Sequence, residues 1–248
     1  MDKFKVNSGS DNGTFFVTES YKKLFKKLKS LKTSRGRIIH VTGAPGTGKS
    51  TNIYHAINEL NLNVYDVGLN ITNENMSSKQ LFNHVYSDMK QSLGAESKDE
   101  VYKYLSKYDA ILFADKFHDA HLIDNKQVGF SLWTKKKGIN SFKFYILCID
   151  EYLRNRKDYK TINILLQTAW RVKIAGKKYD LFTDLGILSK LFVYFLKIFF
   201  EVVEIKYTNQ ETIKIVQKHV NADEKTIAPY IDRYGKKPRI ICNALENE

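Results

Sequence analysis

The chemistry of this chain is concentrated in one stretch, Val41-Thr42-Gly43-Ala44-Pro45-Gly46-Thr47-Gly48-Lys49-Ser50, which fits the spacing GxxxxGK[ST]. Its glycines let the backbone wind until successive N–H groups converge on one anion, and a helix starting at the same point turns its positive end there. Lys49 is the cation that reaches the outer phosphates of a triphosphate, and the Ser50 hydroxyl is a magnesium ligand. The expected nucleotide-binding residues are Gly43, Ala44, Pro45, Gly46, Thr47, Gly48, Lys49, Ser50 and Thr51.

Such a loop needs a carboxylate at the end of a neighbouring apolar strand to complete the magnesium shell. Two segments qualify, Ile111-Leu112-Phe113-Ala114-Asp115 and Tyr145-Ile146-Leu147-Cys148-Ile149-Asp150-Glu151. The second is the stronger string, because Asp-Glu after an apolar run supplies metal contact and water activation together. The first fits the chain order better, with the carboxylate on the third strand and a polar sensor on the fourth. Asp115 is then the metal residue beside Ser50 and Asp150 the sensor, with the pair Asp150-Glu151 retained as the alternative.

These residues must be held by strands and helices that alternate. Apolar β-type runs fall at residues 38–42, 64–67, 110–114, 144–149 and 202–207, and helical patterns at 20–32, 50–60, 77–93, 97–107 and 161–171. Ser97 and Glu100 have the spacing of a capping box at the start of one helix. Strands alternating with helices specify a parallel α/β sheet. After Tyr207 the pattern is helical only, at 209–219 and 224–234, before Gly235-Lys236-Lys237-Pro238-Arg239. The expected organisation is a flexible segment over 1–19, a nucleotide-binding α/β domain over 20–207 and a helical lid over 208–248.

Forty Lys and Arg against 27 Asp and Glu leave a net charge of +13, which points to a polyanionic partner such as DNA. Ten of those cations and only three acids lie in residues 1–40, most of the cations on the amphipathic helix that buries Tyr21, Leu24, Phe25, Leu28 and Leu31. Hydrophobic residues at 43% and charged residues at 27% exclude collagen-like, disordered and disulfide-stapled classes. Cys148 and Cys242 read as buried thiols of a reducing compartment. The start of the chain has no apolar core of a secretory signal, and no run is long enough to span a bilayer, so a cytoplasmic location is expected. Residues 181–203 form the most apolar stretch; Lys190, Lys197 and Glu204 recur at seven-residue steps along it, a polar stripe on a helix expected to pack in the core.

The GAPGTGKS loop, the apolar strand ending in Asp115, a polar-ended fourth strand and the helical tail with Gly235-x-x-Pro238-Arg239 together resemble the AAA+ ATPases. The stretch from Val203 to Glu211 with its following helices is similar to the lid of the origin-recognition, initiator and helicase-loader branch. The resemblance implies a five-stranded parallel sheet in the order 5-1-4-3-2, bound ATP and Mg²⁺, and a lid whose Arg239 touches the γ phosphate. It also implies assembly as a homo-oligomeric ring or filament, with an arginine finger for which Arg154, Arg156 and Arg171 are candidates. The activity implied is ATP hydrolysis coupled to assembly on DNA, with a helicase or initiator partner.

One departure bears on turnover. The family places Glu after the magnesium-shell Asp as the base that activates water, and here that position is Lys116. A charged lysine cannot accept the proton. Hydrolysis is then slow, or another carboxylate substitutes: Glu151, emerging beside the γ phosphate from the fourth strand, or else Asp119. Three readings compete with a DNA-assembling ATPase: an ATP-gated scaffold with little turnover, a phosphate-loop kinase, and a membrane-surface ATPase using the helix within 181–203.

Overall fold

The computed structural model describes residues 4, 15–67, 71, 73–114, 130–168, 171–174 and 176–247. Five strands, β1 (Ile38–Thr42), β2 (Val64–Asp66), β3 (Ile111–Ala114), β4 (Ile164–Gln167) and β7 (Glu201–Glu204), form one parallel sheet in the spatial order β2-β3-β4-β1-β7. Counted along the chain within that sheet the order is 2-3-4-1-5, the one the sequence resemblance implies. The central strands are short apolar runs because both of their faces are covered by helices.

On one face lie α1 (Glu19–Ser30) and α2 (Lys49–Leu60), which bury Leu24, Leu28, Ile53 and Ile57 against Ile39, Val41, Phe113 and Leu165. On the other lie α3 (Ser78–Leu93), α4 (Lys98–Lys107), α5 (Phe130–Lys137), α6 (Phe142–Arg154) and the short α7 (Arg156–Tyr159), around Leu81, Tyr102, Trp133 and Phe144. Thr18 caps α1 and Ser77 caps α3 in a full capping box with Gln80. Ser97 caps α4 by accepting from the Glu100 N–H. An antiparallel hairpin, β5 (Arg171–Ile174) and β6 (Lys177–Asp180), leads to α8 (Ile187–Phe199). The chain ends in α9 (Asn209–Gln217), α10 (Glu224–Tyr234) and α11 (Pro238–Glu246), which share a small apolar cluster of Ile213, Val216, Ile227, Ile231 and Ile241.

Four expectations need correction. The run at 144–149 is not the fourth strand but the middle of α6, where Phe144 and Glu151, seven residues apart, are both buried on one face. The segment at 161–171, expected as a helix, supplies β4 and the start of β5. Short apolar runs satisfy either period, and here Ile162 to Leu166 is the run the neighbouring strands cover while 142–154 takes the longer helical repeat. Cys148 is exposed rather than buried, whereas Cys242 is buried. Finally, α8 is not packed in the core: Ser189 and Leu196 are its buried residues, and most of its apolar side chains face solvent.

Within residues 1–19, expected to be flexible, Phe4 is buried against Tyr65, Tyr104 and Tyr108, and Phe15 stacks on His55 of α2. On β1, burial lowers the His40 imidazole to about 4, so the ring is neutral; its Nδ1 lies 2.8 Å from Thr168 Oγ1 just beyond β4.

Candidate functional site

The carboxyl ends of β1, β4 and β3 lie side by side, since Val41 is level with Gln167 and Leu166 with Ala114. The loop 43–48 leaves β1 at this edge and enters α2, whose N-cap is Gly48 at φ 72, a left-handed conformation in which a side chain would strain the backbone. No side chain caps α2, so the N–H groups of its first turn, and its positive end, are offered to the loop's concave side.

The Lys49 ammonium, nearly buried, donates to the carbonyl oxygens of Gly43 at 2.7 Å and Ala44 at 3.3 Å, which fixes it over the loop. Thr47 Oγ1 donates to the Ala44 carbonyl at 2.8 Å and closes the turn. Ser50 Oγ donates to Gln167 Oε1 at 2.9 Å. Gln167 therefore occupies the polar position at the end of the fourth strand that Asp150 was expected to fill. The sequence carried a signal for it, an apolar run ending in Gln-Thr just as β3 ends toward Asp115, but a helical reading of 161–171 hid it.

Two further polar residues brace the loop from behind. The Tyr207 hydroxyl donates to the Thr47 carbonyl at 2.7 Å and accepts from Asn52 Nδ2 at 3.0 Å, and Asn52 Nδ2 also donates to the Gly48 carbonyl at 2.8 Å. Burial pushes the Tyr207 phenol up to about 12, so it is a neutral donor at physiological pH.

The C-terminal helices close the site from above. The Arg239 backbone N–H donates to the Gly46 carbonyl at 3.2 Å, and a Cβ on Gly46 would lie only 3.0 Å from Ile240 Cγ1, so α11 sits directly on the loop. Between them opens a cleft of about 470 Å³. Its lining includes the polar Thr47, Ser50, Thr51 and Arg239 together with Phe15, Phe16, His55, Ile215 and His219. A cleft that combines the phosphate-binding loop with aromatic side chains suits a nucleotide. The residues present fit a nucleoside triphosphate: the glycine loop, the open N-terminus of α2, Lys49 and Arg239 all address its negative charge. Ser50 Oγ is placed to ligand its magnesium, which when bound would neutralise phosphate charge.

Glu151 and Asp150 are not brought here. Glu151 lies on α6, where its carboxylate accepts from Lys98 Nζ at 2.9 Å, Asn155 Nδ2 at 2.9 Å and the Tyr102 hydroxyl at 3.0 Å. Tyr102 is itself joined to Tyr86 and Tyr159, three hydroxyls within 2.7–3.1 Å of one another whose phenols burial pushes well up. Asp150 accepts from Arg154 Nε at 2.9 Å on the outer side of the same helix. Neither carboxylate borders the cleft, so Glu151 is not the base beside the γ phosphate. Arg154 is tied to Asp150 and Arg156 is exposed on α7; the third finger candidate, Arg171, opens β5 at a register opposite Asp180. Asp115, Lys116 and Asp119 lie outside the described residues. Among the described residues no cluster of three or more His, Cys, Asp or Glu could hold a metal.

The KAP family P-loop domain matches residues 18–242. The chain belongs to the KAP family of P-loop NTPases. Among solved structures, the KAP chain is similar to a DNA replication initiation factor, with 16% identity and a TM-score of 0.48. It is also similar to the replication initiator DnaA bound to AMPPCP and single-stranded DNA, with 17% identity and a TM-score of 0.45. A third is AMPPCP-bound DnaA from Aquifex aeolicus, with 18% identity and a TM-score of 0.42. Each match covers 96% of this chain and 64% of the other, so the KAP chain spans less than two thirds of the length of these structures. No curated protein matches. Among the described residues no helix is long and apolar enough to cross a membrane.

Proposed function

We propose that this KAP chain is an ATP-binding switch with slow hydrolysis, and that its nucleotide state controls assembly of copies of the chain on DNA. The observation that carries the reading is the direct seat of α11 on the loop, Arg239 N–H to the Gly46 carbonyl, because it makes the position of the C-terminal helices depend on what the loop holds. In this reading residues 20–207 bind the nucleotide and residues 208–248 act as its lid. Arg239 contacts the γ phosphate, and Asp115 joins Ser50 at the magnesium. Slow turnover follows from Lys116 at the usual place of the base and from the engagement of Glu151 by three donors elsewhere. The DNA element rests on the net charge of +13 and on the exposed lysines of α1. A helicase or initiator is the partner class that such a switch would serve.

The test combines calorimetry, turnover and light scattering on the same samples. Mg·ATP should bind the wild type and lose at least roughly tenfold in affinity in Lys49→Ala, the cost of one charge-assisted contact to phosphate. Turnover should be low, rise with duplex DNA, and be absent in Lys49→Ala. ATP with DNA should raise the mass in solution above that of a single chain. An unchanged rate in Lys49→Ala ends the ATPase reading, phosphate transfer to a small acceptor replaces it with a kinase, and a monomer under every condition ends the assembly element.

A further inference from the structure

A polar side chain in the middle of a buried strand needs a reason, and His40 on β1 is such a side chain. It is 7% exposed, and its neighbours in the strand, Ile39 and Val41, are buried on the face of the sheet that carries α1 and α2. Side chains alternate along a strand, so His40 stands on the opposite face. It is not among the residues that line the cleft. Burying an imidazole costs free energy unless it is hydrogen-bonded, so its partner shows what the residue is for.

That partner sits where the site begins. Thr168 follows Gln167 at the end of β4, and the Thr168 N–H donates to the Val41 carbonyl at 2.8 Å, which carries the pairing with β1 one residue beyond Gln167. Gln167 lies two residues past Leu165, on the face packed by α2, and there it meets Ser50. Thr168 falls on the other face, beside His40. The His40 Nδ1 and Thr168 Oγ1 are 2.8 Å apart, while Thr168 Oγ1 donates to the Leu166 carbonyl at 3.4 Å. A hydroxyl has one proton to give, so Nδ1 of the neutral ring is the donor and Thr168 the acceptor. The ring of Phe200, between α8 and β7, lies 5.0 Å from the imidazole and bounds it toward the edge of the sheet.

We propose that His40 is a positioning residue for nucleotide turnover: through Thr168 it pins the end of β4 from the far face of the sheet and so fixes the Gln167 amide against Ser50. This rests on the nucleotide reading above and adds to it a residue that never meets the nucleotide. The ends of elements are where a fold opens most easily, and this bond holds one of them directly behind Gln167. Because the same Ser50 hydroxyl is placed to ligand magnesium, a displaced Gln167 misplaces both.

The experiment compares His40→Asn, whose amide N–H falls near the place of Nδ1, with His40→Leu, which fills the space without a donor. Steady-state ATP turnover is measured at a temperature where each variant is folded. His40→Leu should lower kcat at least roughly tenfold and leave KM within about threefold, the pattern of a misplaced group and not of lost binding. His40→Asn should keep at least about half of the wild-type kcat, since the donor is retained. Combined with Gln167→Ala, His40→Leu should add nothing to the loss from Gln167→Ala alone, because both act on one contact. In case His40→Leu is misfolded, Thr168→Val removes the acceptor, keeps the shape and should reproduce the same pattern. A readout that needs no turnover is the side-chain amide resonance of Gln167, identified by its absence from Gln167→Ala. Mg·AMPPCP should shift it to one sharp position in the wild type and in His40→Asn, and leave it broadened in His40→Leu. Wild-type kcat in His40→Leu and Thr168→Val, a His40→Asn variant as slow as His40→Leu, losses that multiply in the double variant, or a Gln167 resonance that responds alike in both His40 variants overturns the proposal and makes His40 a packing residue. A wild type that binds Mg·AMPPCP in the calorimeter and fails these tests loses the positioning role alone, whereas one that binds no nucleotide loses the nucleotide reading and this role with it.

Discussion

Glu151 is 7% exposed and its carboxylate accepts from an ammonium, a phenol and an amide at once, so most of its acceptor capacity is used inside the fold, away from the cleft. Its chemistry is that of an anchor. Lys98, whose ammonium also lies 4.3 Å from the Tyr86 ring centroid and 5.1 Å from that of Phe82, is held against the tyrosine cluster by this one carboxylate. Glu151→Gln keeps the two neutral partners and removes the charge opposite Lys98. Removing one partner of a buried pair costs about 3–5 kcal/mol, and because the Lys98 side chain is 38% exposed a loss of about 1–3 kcal/mol is expected. Urea unfolding measures that loss, and ATP turnover measured well below the melting temperature should stay within about twofold of the wild type. A stability equal to the wild type with turnover abolished would return Glu151 to catalysis.

Elements whose caps and periods agree were legible in the sequence, and those whose signals conflict were not. The helices α3, α4, α9 and α10 fall within one or two residues of expectation, because Ser77, Ser97, Thr208 and Asp223 each accept from the N–H three residues on. The strands β1 and β3 were equally clear, as short runs dominated by apolar residues. The misreading of 144–149 arose because α6 exposes apolar residues, Ile146, Ile149 and Leu153, on a side where solvent-facing polar residues would have revealed a helical period. The helical repeat of α8 was read, but its apolar composition suggested burial in the core where the structure exposes it. The amphipathic α1, in contrast, reads cleanly and carries a prediction of its own. Lys23, Lys26, Lys29 and Lys32 are exposed, whereas Lys22 and Lys27 pair with Glu19 and Glu201. Replacing those four exposed lysines with glutamine should weaken duplex DNA binding and reduce the slope of log affinity against log salt by as much as about 3.6, near 0.9 for each phosphate no longer neutralised. Fluorescence anisotropy across a salt series reads the slope, and a slope that does not change shows α1 to be a solvated face that leaves DNA untouched.

At the scale of the molecule, the order of the sheet brings three strand ends and one loop together; the parallel sheet followed from the alternation of strands and helices, and its order from the family resemblance. What the sequence did not disclose is how the C-terminal helices are joined to the loop, because that joint is made of single contacts between residues far apart in the chain. Tyr207 is the most economical of them. It lies directly before Thr208, the cap of α9, and its hydroxyl bridges the Thr47 carbonyl and the Asn52 amide, so a rotation of the C-terminal helices about this point pulls on the loop. The contact is buried, and Tyr207→Phe would leave the Thr47 carbonyl without this donor at a cost of about 1–3 kcal/mol. Part of that cost falls on global stability, as a drop of several degrees in melting temperature. The part that concerns function falls on the loop: Mg·ATP affinity should weaken by roughly tenfold, and protection of residues 208–248 from proteolysis by saturating Mg·ATP should disappear, because nucleotide and lid are no longer joined through Thr47. A variant that is merely less stable would keep the wild-type ATP affinity and the ATP-dependent protection at a temperature where it is fully folded, and that result would make Tyr207 a packing residue only.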